Sequence, residues 1–316
     1  MRPTTMIGTL ACAAMVGMMS AAPAQTALKV IVFPGLSNFS IYAAQHKNLF
    51  AKHHLAIELI YTPNSTVLRE GLAKGDYQIA HAGVDNSVAM VELAKADAII
   101  VAGGDNGFNH IFVQPEINAY TDLRGTLLLY KVLKDNGLNK SDYVIKPVGA
   151  TIARLEAMTK DKANAAAGVL NPPFTFLARD AGLKDMGATA KAIGAYQSDG
   201  VVVMRDWARA NSDTLVRYLS ALIEGRRWAL DPANKEQAIA LLAERLKLTP
   251  QIAAQAYAVA TDPVEGMAKD AQLDMAGFRK VLKLRAEIED QWGGNAPPPD
   301  KYLDLSYYER ALSAIR

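Results

Sequence analysis

A single cysteine, Cys12, is all that the 316 residues contain. A disulfide is therefore excluded, and so is a metal site built on several thiolates. Charge of one sign is also lacking. The formal net charge is only +2, which gives no field to draw in nucleic acid or an anionic membrane. Beyond the first 24 residues no apolar run approaches the roughly 20 residues that a bilayer crossing needs. The five histidines never fall at metal-ligand spacing. His53 and His54 are adjacent, so on a helix they diverge by about 100° and cannot share an ion. No G-x-S-x-G elbow, P-loop or dinucleotide glycine fingerprint is present. Gly103-Gly104-Asp105-Asn106-Gly107 is glycine-rich, but no long helix follows it, as a phosphate loop would require. Asp85 and Asp105 could be considered as a carboxylate pair, but both fall at turns, where aspartate is common for backbone reasons. No catalytic residue, cofactor or metal is expected.

The N-terminus reads as an export signal. Met1-Arg2 gives a positive start, residues 6–19 are a short apolar core, and Ala22-Pro23-Ala24 is a small-x-small cleavage site. Such a segment is too short for a stable span. Residues 1–25 are read as a signal peptide, which places the mature protein in the periplasm and removes Cys12.

The remainder alternates strands and helices. Leu28 to Phe33, Ala56 to Tyr61, Tyr77 to Ala82 and Ala98 to Ala102 read as strands. Between them lie helical stretches: 40–54, which Ser37 or Asn38 could cap, 66–73, and one starting at Ser87. This alternation predicts an α/β fold with a parallel sheet. A second unit has strands at His110 to Val113, Tyr143 to Pro147 and Ala165 to Leu170, and a helix from Thr151 to Lys160. Val201 to Met204 is a further strand, and helices are expected over 211–229, 234–246, 249–260, 271–291 and near 306–315. In parallel sheets ligands gather at the carboxyl ends of strands, beside helix N-termini. The polar turns Pro34 to Asn38, Thr62 to Ser65, Gly83 to Asn86 and Gly103 to Gly107 lie at those ends.

Several stretches in order then resemble a known family. They are Ala43 to Leu55 (AAQHKNLFAKHHL), Gly71 to Ala80 (GLAKGDYQIA), Asp122-Leu123-Arg124-Gly125, Leu170-Asn171-Pro172-Pro173-Phe174, and Leu177-Ala178. Together they resemble the periplasmic substrate-binding proteins of ABC importers, nitrate/sulfonate/taurine type, which share their fold with thiamine-pyrimidine synthesis proteins. The resemblance implies a two-lobed periplasmic-binding-protein fold of type II with a helical C-terminal region. One lobe would comprise 26–104 and 200–316, the other 105–199. It implies capture of a small polar or anionic organic molecule, sulfonate-, nitrate-, taurine- or pyrimidine-like, for delivery to an ABC permease. A monomer is expected, with no nucleic-acid partner. The positions that match the family's cleft are Ser37, Asn38, Phe39, Asn64, Ser65, Asp85, Asn86, Asn106, Asn171 and Tyr196. No arginine falls on these turns, which weighs against a strongly anionic ligand.

One departure stands out. In TDLRGTLLLYKVLKDNGL, residues 121–138, relatives place a strand and a polar loop after the Asp-Leu-Arg-Gly turn. Here Gly125 runs directly into a helical pattern. A helix beginning at Gly125 or Thr126 and a second lobe lacking one strand are expected. The alternatives are a degenerate or sensory relative with weakened binding, and an enzyme of the pyrimidine-synthesis type.

Overall fold

The computed structural model describes residues 25–117 and 148–315, with Lys131, Lys134, Asp135, Gly137 and Ser141 between them. The signal peptide, the strand expected at Tyr143 to Pro147, and the helix and missing strand expected after Gly125 lie outside the described residues.

The first sheet has the order β2-β1-β3-β8-β4. Its strands are β1 (Thr26–Val32), β2 (Leu55–Tyr61), β3 (Ile79–Gly83), β4 (Ala98–Gly103) and β8 (Asp199–Met204). β1 runs parallel to β2 and β3. β8 runs antiparallel to both β3 and β4, so the expectation of an all-parallel sheet is corrected. The cause is topological: β8 returns from the second sheet and slots between β3 and β4 from the opposite direction. The second sheet has the order β6-β5-β7, antiparallel throughout, from β5 (His110–Val113), β6 (Ala167–Leu170) and β7 (Lys184–Ala188).

The helices between strands are α1 (Phe39–His46), α2 (Leu49–Lys52), α3 (Ser65–Lys74), α4 (Val84–Glu92), α5 (Thr151–Lys160), α6 (Phe174–Asp180) and α7 (Thr189–Ile193). After β8 come α8 (Arg205–Ala210), α9 (Ser212–Leu230), α10 (Lys235–Leu246), α11 (Pro250–Ala260), α12 (Met275–Glu289) and α13 (Ser306–Ala314). The single helix expected over 40–54 is broken at Asn48, whose left-handed φ of 54° starts a new turn. α4 begins at Val84 rather than Ser87. β7 and α7 are elements the sequence reading missed. Four of the five β7 residues are only part-buried, so they carry no hydrophobic alternation to detect.

Apolar packing explains the layers. On one face of the first sheet, Val30, Val32, Val201 and Val203 meet Ile41, Leu219 and Leu222 of α1 and α9. On the other, Ile31, Ala80, Ile100 and Val202 meet Leu68 of α3, Val88 of α4 and Val281 of α12, and this cluster runs on into Ile111, Val113 and Val169 of the second sheet. The second sheet's far side holds Phe112, Met158, Leu170, Ala178 and Leu183. The C-terminal helices α10 and α11 pack Leu241, Ala253 and Tyr257 over Phe39 and Tyr42. Among the described residues no helix is long and apolar enough to cross a membrane.

Candidate functional site

Two short segments link the sheets, one leaving β4 and one entering β8. They are tied to each other. The Asp105 carbonyl accepts from the backbone N–H groups of Ser198 and Asp199 at 3.3 and 3.4 Å and from Nε2 of Gln197 at 3.0 Å. Gln197 is fully buried; its Nε2 also donates to the Asp199 carbonyl at 2.6 Å, and its Oε1 accepts from the Asp274 N–H at 2.6 Å. One glutamine thus fixes both links to the N-terminus of α12. Buried polar groups are retained where their bonds are met, and all of these are.

The strand-end turns of the first sheet converge on this seam. Ser37 Oγ donates to Asp105 Oδ2 at 2.6 Å, and the Gly107 N–H donates to Asp105 Oδ1 at 3.0 Å. The Val84 N–H at the start of α4 donates to the Ser198 carbonyl at 2.9 Å. Three carboxylates face one another here. Burial raises the pKa of Asp105, against the pull of Ser37, the Gly107 N–H and Arg226. Asp199 is raised well above the usual carboxylate range by burial and then by Asp105 and Asp85 beside it. Like charges in a low-dielectric seam favour holding a proton between them.

Arg226 of α9 lies behind the seam and is 1% exposed. It donates Nε to Ser40 Oγ at 2.8 Å and Nη1 to the carbonyls of Gly104 and Ala268 at 2.7 and 3.2 Å. Burial brings its pKa down to about 10, with Asp105 the main opposing influence. It is a cross-brace between α1, the outgoing link and the C-terminal segment.

The second sheet meets the same turns directly. The Leu36 N–H donates to the Pro172 carbonyl at 3.0 Å, and the Ala150 N–H to the Pro63 carbonyl at 3.1 Å. Glycine is required at both contacts. Gly35 has φ +152° and Gly149 φ +102°, and an added Cβ would stand 3.3 Å from the Pro172 and Pro63 carbonyl oxygens respectively. Asn171 sits at the centre: its amide lies against Gly35, and its Oδ1 is buried with no hydrogen-bond partner among the described residues. A buried amide left unpaired costs about 1–3 kcal/mol unless something fills the role.

The expected positions separate into groups. Ser37, Asp85 and Asn171 come together at the seam, and Tyr196, buried at 7% exposure, is electrostatically coupled to Asp85 and Asp199. Asn64 is spent as the N-cap of α3, its side chain accepting from the Val67 N–H at 2.9 Å. Ser65 follows as the first residue of that helix. Asn38 is buried and donates Nδ2 to the Phe33 carbonyl at 2.7 Å. Neither it nor Ser37 caps α1 through a side chain, which corrects that expectation. Phe39 has no exposed surface and packs edge-on against Tyr257. Asn86 lies in the first turn of α4, and Asn106 is part-buried beside Asp105.

Arg154 was missed. This α5 residue donates Nε to the Gly149 carbonyl and Nη1 to the Val169 carbonyl, both at 3.0 Å. Burial lowers its pKa, and Asp85 across the seam opposes that shift. An arginine therefore does reach the seam, although none falls on the turns themselves. It comes from inside a helix rather than from a turn, and no turn-based signal could find it. Asp199 was missed for a similar reason: it opens β8, one residue before the strand's first glycine. Among the described residues no cluster of three His, Cys, Asp or Glu is placed to hold a metal. An open groove lies beside α1, α2 and β2, and two of its polar residues, Gln45 and Arg245, are bonded to each other.

Comparison with known proteins agrees with this architecture. The family described as NMT1/THI5 like matches residues 37–235. A protein of Brachyspira hyodysenteriae, assigned as an ABC transporter periplasmic binding protein, is 26% identical over 228 residues. That match covers 63% of this chain and 64% of the relative's length. The periplasmic nitrate-binding protein NrtA from Synechocystis PCC 6803 superposes with a TM-score of 0.74 at 14% identity, covering 92% of this chain and 89% of that one. The alkanesulfonate-binding protein SsuA from Xanthomonas axonopodis pv. citri, bound to MOPS, gives 0.69 at 18% identity, covering 90% and 99%.

Proposed function

The chain belongs to the NMT1/THI5-like family, and from that premise we propose that it is the solute-binding component of an ABC importer. It is not an enzyme. It is exported to the periplasm through residues 1–25. Its two lobes are 26–104 with 200–316, and 105–199. It captures a small polar or anionic organic molecule, sulfonate-, nitrate-, taurine- or pyrimidine-like, where the two sheets meet, and delivers it to a permease as a monomer.

The observation that carries this reading is the convergence on one seam of strand-end turns from both sheets around the unpartnered amide of Asn171. An amide can accept from a ligand N–H or donate to a ligand oxygen. Arg154, anchored by two carbonyls, provides a preorganised cation for an acidic group. Ser37, Asp85 and Asp199 would bind the ligand's donors, and Asn86, Asn106 and Tyr196 would complete the surround. Bound ligand would add contacts of its own to both sets of turns and hold the lobes together.

The test is a thermal-shift panel of nitrate, alkanesulfonates, taurine, amino acids and pyrimidines. A ligand present at 100 times its Kd stabilises by about 2.7 kcal/mol, an upward shift of several degrees. A panel that leaves the melting temperature unmoved throughout would overturn the reading.

A further inference from the structure

His110 opens β5, five residues beyond Asp105, where the outgoing link enters the second sheet. Both of its ring nitrogens face carboxylates. Nδ1 lies 3.0 Å from each oxygen of Asp185, on β7 of the same sheet. Nε2 lies 3.2 Å from Glu265 Oε2. Glu265 belongs to the segment after α11, which is joined to the first-sheet body by the Met267 bridge to Asp105 and by packing of Met267 with Phe39 and Tyr42. One imidazole therefore joins the second sheet to the C-terminal part of the first body.

A neutral imidazole has one N–H and one lone pair. With carboxylates on both nitrogens, only the imidazolium satisfies both contacts; the neutral ring would turn a lone pair toward one of them. The charged groups around the ring agree. Asp185 of β7 and Glu265 face it directly. Behind Asp185 stands Arg179 of α6, donating Nε to Asp185 Oδ2 at 3.1 Å, and the Gly187 N–H also binds Asp185 Oδ1 at 2.8 Å. Behind Glu265 stand Lys191 of α7, 3.6 Å from Oε1, and Asp262, whose Oδ1 accepts the Glu265 N–H at 2.9 Å. Burial pulls the His110 pKa down, but Asp185 and Glu265 together outweigh it and leave it above its ordinary value.

We propose that His110 is a pH-operated latch between the two bodies, closed as imidazolium through Glu265 and released when the ring loses its proton. The inference builds on the binding-protein reading, because it is the lobe closure of that reading which the latch would bias. Asp185 stays with the ring after deprotonation, since Arg179 and Gly187 fix it and the strands of His110 and Asp185 are paired in one sheet. The Glu265 contact is the one that yields. Lys191 also reaches Glu265, but its side chain is 72% exposed, and an ion pair so open to solvent contributes little. The sign follows from the raised pKa: the latch is engaged below it and lost as pH rises through it. Ligand would be held more tightly in mildly acidic surroundings than in alkaline ones.

The test needs no ligand. The amides of Leu36 and Ala150 each make a backbone bond across the seam, so their hydrogen-exchange protection, corrected for intrinsic rate, reads closure. Ile100 inside β4 serves as the core control. In the wild-type protein, protection at Leu36 and Ala150 should fall about tenfold or more between pH 6 and pH 9 while Ile100 is unchanged. In Glu265→Gln, which leaves the imidazole and its Asp185 partner in place and whose amide can meet either form of the ring, protection at the two amides should no longer change with pH. His110→Asn should behave as Glu265→Gln does. Protection that is flat with pH in the wild type, or an undiminished pH response in Glu265→Gln, would overturn the latch. A failed ligand panel would refute the transport reading without touching this result.

Discussion

The two sheets are built to different standards of burial. Every residue of β4 is buried, and α9 has ten buried residues, among them Leu215, Tyr218, Leu219 and Leu222 in the cluster on the first sheet. In the second sheet β7 buries only Ala188, and the helix that covers it, α5, buries only Met158. At roughly 25 cal/mol per Å² of apolar area, the first body holds itself by packing. Among the described residues the second relies more on polar ties: Asp185 with Arg179 and His110, Arg154 with two carbonyls, and Gln114 Nε2 with the Met158 and Ala165 carbonyls. Packing is indifferent to pH and tolerates little motion. Polar ties can be made and broken, which would suit the moving half of the binding protein proposed above.

The difference can be broken most severely from the first body's side. Arg226→Met removes a buried cross-brace, strands the Gly104 and Ala268 carbonyls and takes away the cation nearest the Asp105 carboxylate. A loss of about 3–5 kcal/mol is expected, read as a large fall in the denaturant midpoint. Acid attacks the second body instead. Asp185 is held down to about 2: burial opposes this, and His110, Arg179 and the Gly187 N–H outweigh it. A depressed carboxylate contributes stability above its unfolded value near 3.9 and loses it as pH falls toward 2. With 18% of that side chain exposed, the effect is on the order of 2 kcal/mol. Asp185→Asn should flatten the stability of the second sheet over that window, as followed by hydrogen exchange at β5.

A smaller effect belongs to the seam. Gly35→Ala puts a Cβ 3.3 Å from the Pro172 oxygen at φ +152°, and strain of about 1–2 kcal/mol is expected. It should reduce protection at Leu36 more than at Ile100. At the bottom of the scale, Lys74→Ala removes an exposed pair with Glu70 and should change stability by less than about 0.5 kcal/mol. A larger change there would mean that surface charge matters more than the burial contrast allows.

Much of the first body was legible in the sequence. LKVIVF, AIELIY and AIIVA carry the β-branched residues of buried strands, and the helices of the C-terminal region start and stop within a few residues of expectation. The direction of β8 was not legible, because direction is a property of the path between sheets and leaves no trace in a short apolar run. β7, KDMGA, has no hydrophobic period at all. At the site, sequence reasoning looked to turns and so reached Ser37, Asp85 and Asn171. It missed Arg154, Asp199 and Gln197, which arrive from a helix interior, a strand start and the link just before that strand. Asn64 and Asn38 show the converse: residue types suited to a ligand that the backbone uses instead.

The central claim is that the seam around Asn171 is where the protein takes its ligand. Isothermal titration of the strongest hit from the panel into the wild type and Asn171→Ala tests it. The account predicts at least a tenfold weaker Kd for the variant, with the unliganded melting temperature within about a degree of wild type, because among the described residues the buried amide oxygen has no partner to lose. An unchanged Kd would contradict it.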